Sequence, residues 1–199
     1  MADAVFERTE SGIHPNPLFS YTLPAAYYYD AEIFDREKQE IWFKTWQLVG
    51  YQHELSEPGD YVTQDILGQK ILVTRSKEGG LRAFYNVCMH RGHVLALGRG
   101  NKHIFTCPFH AWSYDANGTL KAAGNSENVA GFKLEDFSLS EIRVEQFLHM
   151  VFVNLDPHAE PLAPLVADLK QDIVDNVPKF DQLKLGRTDP YNIDANWKF

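Results

Sequence analysis

Two short segments of the chain place a cysteine close to a histidine. Cys88-Met-His90 separates the two side chains by one residue, and Cys107-Pro-Phe-His110, which follows after sixteen intervening residues, separates them by two. The chain contains only these two cysteines. Two thiolates and two imidazoles at fixed spacing on two loops are typical of a metal site rather than of a disulfide.

The stoichiometry of this pattern matches one kind of iron–sulfur cluster. In a Rieske [2Fe–2S] centre, two histidines replace two cysteines as ligands of one of the two irons. The pattern C-x-H, sixteen residues, C-x-x-H resembles the Rieske signature. This resemblance assigns Cys88 and Cys107 to one iron. It assigns His90 and His110 to the other iron.

Flanking residues narrow the resemblance to a family. Arg91 and Gly92 follow the first histidine, and the second segment reads Cys-Pro-Phe-His-Ala-Trp, ending at Trp112. In these features the chain resembles the α (oxygenase) subunit of Rieske non-heme iron ring-hydroxylating oxygenases, a family of dioxygenases and related monooxygenases and demethylases. The likeness implies that the chain is the N-terminal Rieske portion of such a subunit.

Four positions near the ligands bear on the redox properties that the resemblance implies. His93 and Phe109 stand where respiratory Rieske proteins have two further cysteines, joined as a disulfide. Trp112 stands where those proteins have a serine that bonds a bridging sulfide, and we expect it not to take that role. Tyr114 matches the tyrosine whose hydroxyl donates to a cysteine ligand. With fewer hydrogen bonds to the sulfurs, the predicted potential lies near the low end of roughly −150 to +300 mV.

The family resemblance also implies a function and its cofactors. An oxygenase α subunit receives electrons from a ferredoxin or flavin reductase and passes them from the [2Fe–2S] cluster to a mononuclear Fe(II), which hydroxylates the substrate with O2. The implied substrate is an aromatic or a quaternary-ammonium compound. The passage Gly124-Asn-Ser-Glu-Asn-Val129 resembles the branch that oxidises carnitine, choline or betaines. The implied assembly is a homotrimer, with or without a β subunit.

The ligands of the mononuclear iron are not found in this sequence. In the family they are two histidines and one carboxylate, and no Glu/Asp–His–His run with the required spacing occurs among the 199 residues. We therefore predict no catalytic residue within the chain. The last residues, Trp197-Lys-Phe199, look like the start of the family's catalytic domain, so we expect the iron site to lie beyond them.

The elements that must position the ligands are mostly β-strands. Residues 1–29 are predicted to form an extended arm, Asp30 to cap a first helix, and Leu165–Val177 to form a later helix. Eight short strands are predicted between them, separated by turns such as Pro58-Gly59 and Asn117-Gly118. These strands are Trp46–Tyr51, Tyr61–Ile66, Ile71–Ser76, Leu81–Asn86, Ile104–Thr106, Thr119–Ala122, Ile142–Gln146 and Met150–Leu155.

Together these elements predict a mainly β fold. We expect a small antiparallel β-sandwich or barrel with an N-terminal helix and the beginning of an α+β catalytic domain. The predicted boundaries are 1–45 for the arm and helix, 46–156 for the Rieske domain, and 157–199 for the start of the catalytic domain.

The composition of the chain limits the classes of partner and the cellular compartment that we expect. The formal charge is −8, from 19 basic and 27 acidic side chains, which argues against a nucleic-acid partner. No apolar run has the length needed to cross a bilayer, and the first residues lack the pattern of a signal peptide. We therefore expect no membrane partner and a cytoplasmic location, where the reducing environment suits free thiols.

Three alternative functions are compatible with the same residues. Zinc also accepts two cysteines and two histidines, although structural zinc modules usually use C-x2-4-C spacing. A stand-alone Rieske ferredoxin would carry electrons without a catalytic domain, but it would lack the N-terminal arm and helix. A binding or biogenesis module with a vestigial cluster is the third alternative, and the presence of all four ligands disfavours it.

Overall fold

A computed structural model describes residues 14, 16–20, 22–126 and 128–199 of the chain. The chain divides into two compact units, residues 1–41 with 189–199 and residues 42–188. The predicted domain boundaries, after residues 45 and 156, stay a prediction. Among the described residues, no helix has the length and apolar character that a membrane crossing requires.

Antiparallel β-strands make up most of the larger unit. In its described part they are β1 (Gln47–Tyr51), β2 (Asp60–Ile66), β3 (Gln69–Arg75), β4 (Leu81–Tyr85), β5 (Arg99–Asn101), β6 (Ile104–Thr106), β7 (Ser113–Asp115), β8 (Leu120–Ala122), β9 (Glu141–Phe147) and β10 (Met150–Asn154). One sheet has the order β1-β10-β9-β4-β3-β2-β5, and a small sheet has the order β6-β7-β8. Every pairing between these strands is antiparallel.

The large sheet curls so that strands far apart in its order approach each other. β1 lies at one edge and β2 lies next to the other edge. Nevertheless, the side-chain amide of Gln64 on β2 donates to the Val49 carbonyl on β1 at 3.4 Å. A Cβ built on Gly50 would lie 3.3 Å from Val62 Cγ2. The predicted mainly antiparallel β fold is therefore confirmed.

Alternation along β3 separates two hydrophobic cores. Successive strand residues point to opposite faces: Ile71 and Val73 enter one core with residues of β1 and β10, whereas Leu72 enters a second core. Thr74 also joins the two sheets, because its hydroxyl donates to the Ala116 carbonyl beyond β7 at 2.6 Å. The second core contains both cysteines, so folding of the sheets brings the two predicted ligand segments together.

The strand predictions succeed for eight of the described strands and miss two short ones, β5 and β7. All eight predicted strands are present, with ends that differ by at most two residues. The strand β5 was not predicted; it contains Gly100, whereas Gly98 just before it has φ +71°. Gly100 is needed there because it pairs with Tyr61, whose ring would lie 3.3 Å from an added Cβ. The strand β7 was also not predicted.

Short helices precede and follow the β-strands along the chain. They are α1 (Ala26–Tyr29), α2 (Ala31–Glu37), α3 (Leu162–Leu165) and α4 (Ala167–Asn176), with a π-helical turn at Lys38–Trp42 and 3-10 turns at Pro17–Phe19, Gln52–Glu54, Leu134–Phe137 and Phe180–Gln182. The predicted cap is confirmed, because the Asp30 carboxylate accepts the Glu32 and Ile33 amides. The later predicted helix corresponds chiefly to α4.

The predicted extended arm is wrong for part of its length. Residues 1–13, 15 and 21 of this arm lie outside the described residues. In the described part, Pro17–Phe19 forms a 3-10 turn and α1 follows Pro24. The Pro24 carbonyl accepts the Tyr27 amide at 3.0 Å. A proline before a helix supplies this acceptor and does not interrupt the turn that follows it.

Candidate metal centre

Two loops that leave the ends of strands carry the four predicted ligands. Residues 86–98 connect β4 to β5 and contain Cys88 and His90, and residues 107–112 connect β6 to β7 and contain Cys107 and His110. Because the small sheet packs on the core shared with β3 and β4, the two loops face each other. The ring centroids of His90 and His110 lie 4.6 Å apart.

The same backbone turn holds each cysteine. In the first loop the Gly92 amide donates to the Cys88 carbonyl at 2.9 Å, and the Cys88 amide donates to the His93 carbonyl at 2.8 Å. In the second loop the Ala111 amide and the Cys107 carbonyl, 2.9 Å apart, repeat the first contact. The Cys107 amide repeats the second contact with the Trp112 carbonyl at 2.8 Å.

A left-handed residue closes each of these turns, four positions after the cysteine. Gly92 has φ +75° and Ala111 has φ +57°. Glycine adopts this conformation without cost, whereas alanine is strained in it. The chain therefore builds two matching cysteine turns, one of them against the preference of its own residue.

Both thiols are buried and free. Cys88 and Cys107 are each 2% exposed, and they form no disulfide. Buried free cysteines commonly serve only as small apolar side chains. Here the matching turns and the neighbouring imidazoles give both thiols the surroundings of ligands.

The two imidazoles present one exposed and one partly buried ring. His90 is exposed, whereas His110 is half-buried. The rings are nearly perpendicular, with an angle of 72° between their planes. His110 Nδ1 is inaccessible to water and has no hydrogen-bond partner among the described residues. A buried polar atom without a partner is unusual, and a nitrogen lone pair in this position suits a metal.

Burial and nearby charge favour the neutral form of His110. Burial lowers the pKa of His110, and the adjacent His90 and Arg91 lower it further. A histidine binds a metal through a neutral ring nitrogen. The surroundings of His110 thus favour the protonation state that ligation requires.

Tyr114 lies where the family resemblance places a hydrogen-bond donor to a cysteine. Its ring is fully buried on β7, and its hydroxyl oxygen lies 3.5 Å from Cys88 Sγ. The Met89 amide donates to the same oxygen at 3.0 Å, which leaves the hydroxyl proton available for the sulfur. Burial raises the pKa of Tyr114, and the contact with Cys88 raises it further, so the hydroxyl remains a donor.

Trp112 forms one wall of the site. Its indole stacks on the His90 ring at 4.8 Å between centroids, with 12° between the planes. Its other contacts are edge-to-face with Phe132 at 5.8 Å and Phe137 at 5.6 Å. The side chain is 5% exposed, and Nε1 has no hydrogen-bond partner in the described part of the chain.

Aromatic contacts join the loops at the positions where respiratory proteins have a disulfide. The rings of His93 and Phe109 lie 6.2 Å apart. The guanidinium of Arg91 lies 5.5 Å from the centre of the Phe109 ring, in a cation–π contact. All three side chains are exposed. The loops are therefore held here by weak surface contacts.

Asn86 braces the first loop and was not predicted as a site residue. Its side-chain amide donates to the Ala96 carbonyl at 2.8 Å, and its oxygen accepts the Leu95 and Ala96 amides at 3.1 and 3.2 Å. Asn86 is 2% exposed. The only sign of this role in the sequence is a polar residue two positions before the first cysteine. The hydrogen bonds of Asn86 cannot be predicted from it, because they form only when the loop folds.

The donor set fits a dinuclear cluster better than a single ion. Among the described residues, no three side chains of Cys, His, Asp or Glu are grouped so that they could hold one metal ion. A [2Fe–2S] cluster makes no such demand, because each iron takes only two protein ligands and the sulfides complete its shell. Two buried thiols and two adjacent imidazoles, one with an unpartnered buried nitrogen, meet this requirement.

Comparison with known proteins agrees with the geometry. Residues 45–133 match the family model for the Rieske [2Fe–2S] domain. The carnitine monooxygenase oxygenase subunit of Escherichia coli (strain K12) is 39% identical over 92% of this chain and 49% of its own length. The chain thus spans about half the length of the curated relatives that it matches.

Two solved structures extend this agreement to the fold. The quaternary ammonium Rieske monooxygenase CntA in complex with L-carnitine has a TM-score of 0.85 at 36% identity, over 90% of this chain and 51% of CntA. A quaternary ammonium Rieske monooxygenase whose structure is described as giving insight into carnitine oxidation and inter-subunit electron transfer has a TM-score of 0.74 at 37% identity, over 77% and 42% of the two chains. The chain therefore contains a Rieske [2Fe–2S] domain and is homologous to the oxygenase α subunits of Rieske oxygenases.

Proposed function

We propose that this chain is the electron-transfer portion of a Rieske oxygenase α subunit. In this proposal Cys88 and Cys107 hold one iron of the [2Fe–2S] cluster, and His90 and His110 hold the other. The observation that carries the proposal is the meeting of two buried free thiols with a buried, unpartnered His110 Nδ1. Two matching backbone turns support it, because they hold the cysteines in equivalent positions.

The side chains around the ligands have distinct parts in this function. When bound, a Rieske cluster takes up and passes on one electron at a time, at a higher potential than plant-type all-cysteine clusters. The buried cysteines lie in an apolar core that excludes water, and Asn86 fixes the loop that carries Cys88. His90 is exposed, so its ring brings the ligand set to the protein surface.

The extent of the similarity favours an oxygenase subunit over a stand-alone ferredoxin. The Rieske model covers residues 45–133, whereas the match to the oxygenase subunit of carnitine monooxygenase covers 92% of the chain. A small electron carrier would not need the segments on both sides of the Rieske domain to which this similarity extends. We therefore propose a mononuclear Fe(II), held by residues of the whole protein outside these 199, as the electron acceptor.

The same homology supports proposals for the partners and the substrate. We propose a ferredoxin or flavin reductase as the electron donor. We also propose a homotrimer as the assembly, and the inter-subunit electron transfer described for a relative supports an assembly of more than one subunit. We propose a quaternary-ammonium substrate in preference to an aromatic one. Support comes from the carnitine monooxygenase similarity and from the CntA–carnitine structure.

Reconstitution of the chain tests the ligand assignment. The purified chain is treated anaerobically with iron and sulfide, and its iron, sulfide and zinc contents are measured with its visible and electron paramagnetic resonance (EPR) spectra. We expect about two irons and two sulfides per chain, with a Rieske-type EPR spectrum after reduction. Titration with a reduced ferredoxin or flavin reductase should bleach the visible absorption.

Ligand variants separate this centre from other clusters. Cys88→Ser should lose most of the bound iron. His90→Cys should keep the cluster but shift its spectrum and potential toward those of an all-cysteine centre. His149→Cys is the matched control, because His149 Nδ1 already pairs with Gln52 Oε1 at 3.0 Å. Stoichiometric zinc without sulfide, or equal effects of the two histidine variants, would refute the assignment.

A further inference from the structure

We propose that Trp112 donates its indole N–H to a sulfur atom of the bound [2Fe–2S] cluster and so raises the reduction potential of the cluster. This inference rests on the proposed ligand set and adds a hydrogen-bond donor to it. It also differs from the sequence-based expectation that Trp112 cannot replace the serine of respiratory Rieske proteins. In the described part of the chain, the indole nitrogen is a donor that the protein has buried without an acceptor.

The indole of Trp112 is buried. The Trp112 side chain is 5% exposed, and its Nε1 atom is inaccessible to water. Folding removes the water that would accept the indole proton, so an unmet donor is unfavourable. The neighbouring Phe132 and Phe137 rings lack oxygen, nitrogen or sulfur atoms that could accept it. A tryptophan buried in this way usually finds a partner for its N–H.

Trp112 contacts two of the proposed ligand residues. The indole stacks on His90 at 4.8 Å and 12°, so it lies against the face of a proposed iron ligand. The backbone of the same residue is fixed to the second ligand loop, because the Trp112 carbonyl accepts the Cys107 amide at 2.8 Å. Trp112 is thereby tied to one histidine and one cysteine of the ligand set. No acceptor for the indole N–H is found among the described residues, and a sulfur of the bound cluster would supply one.

The electrostatic consequence is a higher potential. Reduction adds one negative charge to the cluster, and an N–H donor stabilises the more negative state. Hydrogen bonds to cluster sulfurs are among the factors that set the potential. The stacked indole also restricts rotation of the His90 ring. Stacking and hydrogen bonding can be separated, because phenylalanine keeps a flat ring but has no N–H.

Trp112→Phe is therefore the informative variant. We expect the equilibrium constant for cluster reduction to fall about tenfold, which makes the potential about 59 mV more negative for one electron. Trp46→Phe is the matched control, because Trp46 Nε1 donates to the Glu160 carbonyl at 3.0 Å. The control also loses an indole hydrogen bond, yet its equilibrium constant for cluster reduction should stay within about twofold of the wild-type value.

Isotope labelling of the unmodified chain gives a second readout, which decides the matter if Trp112→Phe fails to hold iron. Pulsed EPR on the reduced, reconstituted chain with ¹⁵N-indole tryptophan should detect one coupled ¹⁵N nucleus. Trp46→Phe should keep this coupling, and Trp112→Phe should lose it.

Each result supports or overturns the proposal. An unchanged potential in Trp112→Phe overturns it, even if Trp112→Leu shifts the potential, because stacking alone would then be the cause. Absence of ¹⁵N coupling in the wild-type chain also overturns it. A wild-type chain without a Rieske spectrum refutes the ligand set and this inference together. A Rieske spectrum with no Trp112 effect refutes only the inference.

Discussion

At the residue scale, two aromatic side chains contact the proposed ligands. Tyr114 and Trp112 are both almost fully buried, and both approach the ligand set from the second loop and its following strand. One reaches Cys88 with its hydroxyl, and the other covers His90 with its ring. Both positions place polar hydrogens in a dry environment, where each hydrogen bond has a large electrostatic effect.

Tyr114→Phe should lower the reduction potential of the reconstituted chain. The variant removes the hydroxyl that lies 3.5 Å from Cys88 Sγ, and the reduced cluster loses a stabilising donor. A loss of roughly 1–1.5 kcal/mol corresponds to about 45–65 mV for one electron. Protein-film voltammetry measures the shift.

Tyr61→Phe is the control for this prediction. Tyr61 is a buried tyrosine of the same core, but its hydroxyl donates to the Leu97 carbonyl at 3.5 Å. Its loss should leave the potential within about 10 mV of the wild type, well below the effect of one hydrogen bond on sulfur. Equal shifts in the two variants would show that the hydroxyl near Cys88 has no special role.

The sequence predicts the ligand set because the residue types and their spacing are local properties. The same holds for Tyr114, which follows the second histidine at a fixed distance in the family pattern. The sequence does not predict two other contacts, the stacking of Trp112 on His90 and the contact of His93 with Phe109. Each joins two loops, so it depends on how β6 and β7 pack against the large sheet, and no local pattern contains that information.

At the element scale, two glycines close turns in the part of the chain that carries the candidate site. Gly92 ends the first cysteine turn with φ +75°, and no atom lies within 4 Å of an added Cβ. Gly118 lies in the turn between β7 and β8 with φ +74°, and an added Cβ would lie 2.5 Å from the buried Phe84 ring. The two sites therefore separate backbone strain from steric conflict.

Gly92→Ala should lower the free energy of unfolding by about 1 kcal/mol, from left-handed strain alone. Gly118→Ala adds the overlap with Phe84, and we expect a loss of about 2–4 kcal/mol. Urea denaturation of the cluster-free chains measures both values. Similar losses in the two variants would contradict the account of the β7–β8 turn.

Element prediction succeeds where a pattern extends over several residues. The alternation along β3 and the capping by Asp30 are visible in the sequence, and both are present in the structure. The strands β5 to β8 have three residues each, too few to show alternation. The residues of β6, Ile-Phe-Thr, favour strands by their type, whereas Arg-Gly-Asn of β5 and Ser-Tyr-Asp of β7 are mostly polar or glycine. Gly100 within β5 also resembles a loop residue until its partner, the Tyr61 ring, is known.

At the scale of the whole molecule, distant parts of the chain meet in the smaller unit. Glu37 of α2 accepts hydrogen bonds from Trp197 Nε1 at 2.9 Å and from Lys198 Nζ at 2.8 Å. Phe199 stacks on Tyr28 at 4.8 Å, and Asn196 donates to the Tyr28 carbonyl at 3.2 Å. The sequence contains no local indication of this pairing, because about 160 residues separate the partners.

The pairing at Glu37 should weaken at acid pH. Burial alone would raise the pKa of Glu37, but the hydrogen bonds from Lys198 and Trp197 and the charge of Lys198 together hold it below the usual value. Because the folded pKa is the lower one, the stabilisation is complete above the unfolded value of about 4.3. It is lost as the pH falls through the folded pKa.

The Trp197 indole N–H reports this titration in ¹H–¹⁵N NMR spectra. We expect its resonance to shift with a midpoint below the ordinary glutamate pKa, and the shift should disappear in Glu37→Gln. The Trp46 indole, which donates to a backbone carbonyl, serves as the internal control. A midpoint at or above the ordinary value, or an equal titration in Glu37→Gln, would contradict the ion pair.

Mössbauer spectroscopy of the ⁵⁷Fe-reconstituted chain tests the central claim most directly, because it observes each iron separately. We expect two inequivalent irons, one with only sulfur ligands from Cys88, Cys107 and the sulfides, and one with two nitrogen ligands from His90 and His110. On reduction, the added electron should reside on the histidine-ligated iron. Two equivalent irons, or a chain that binds zinc and no sulfide, would contradict it.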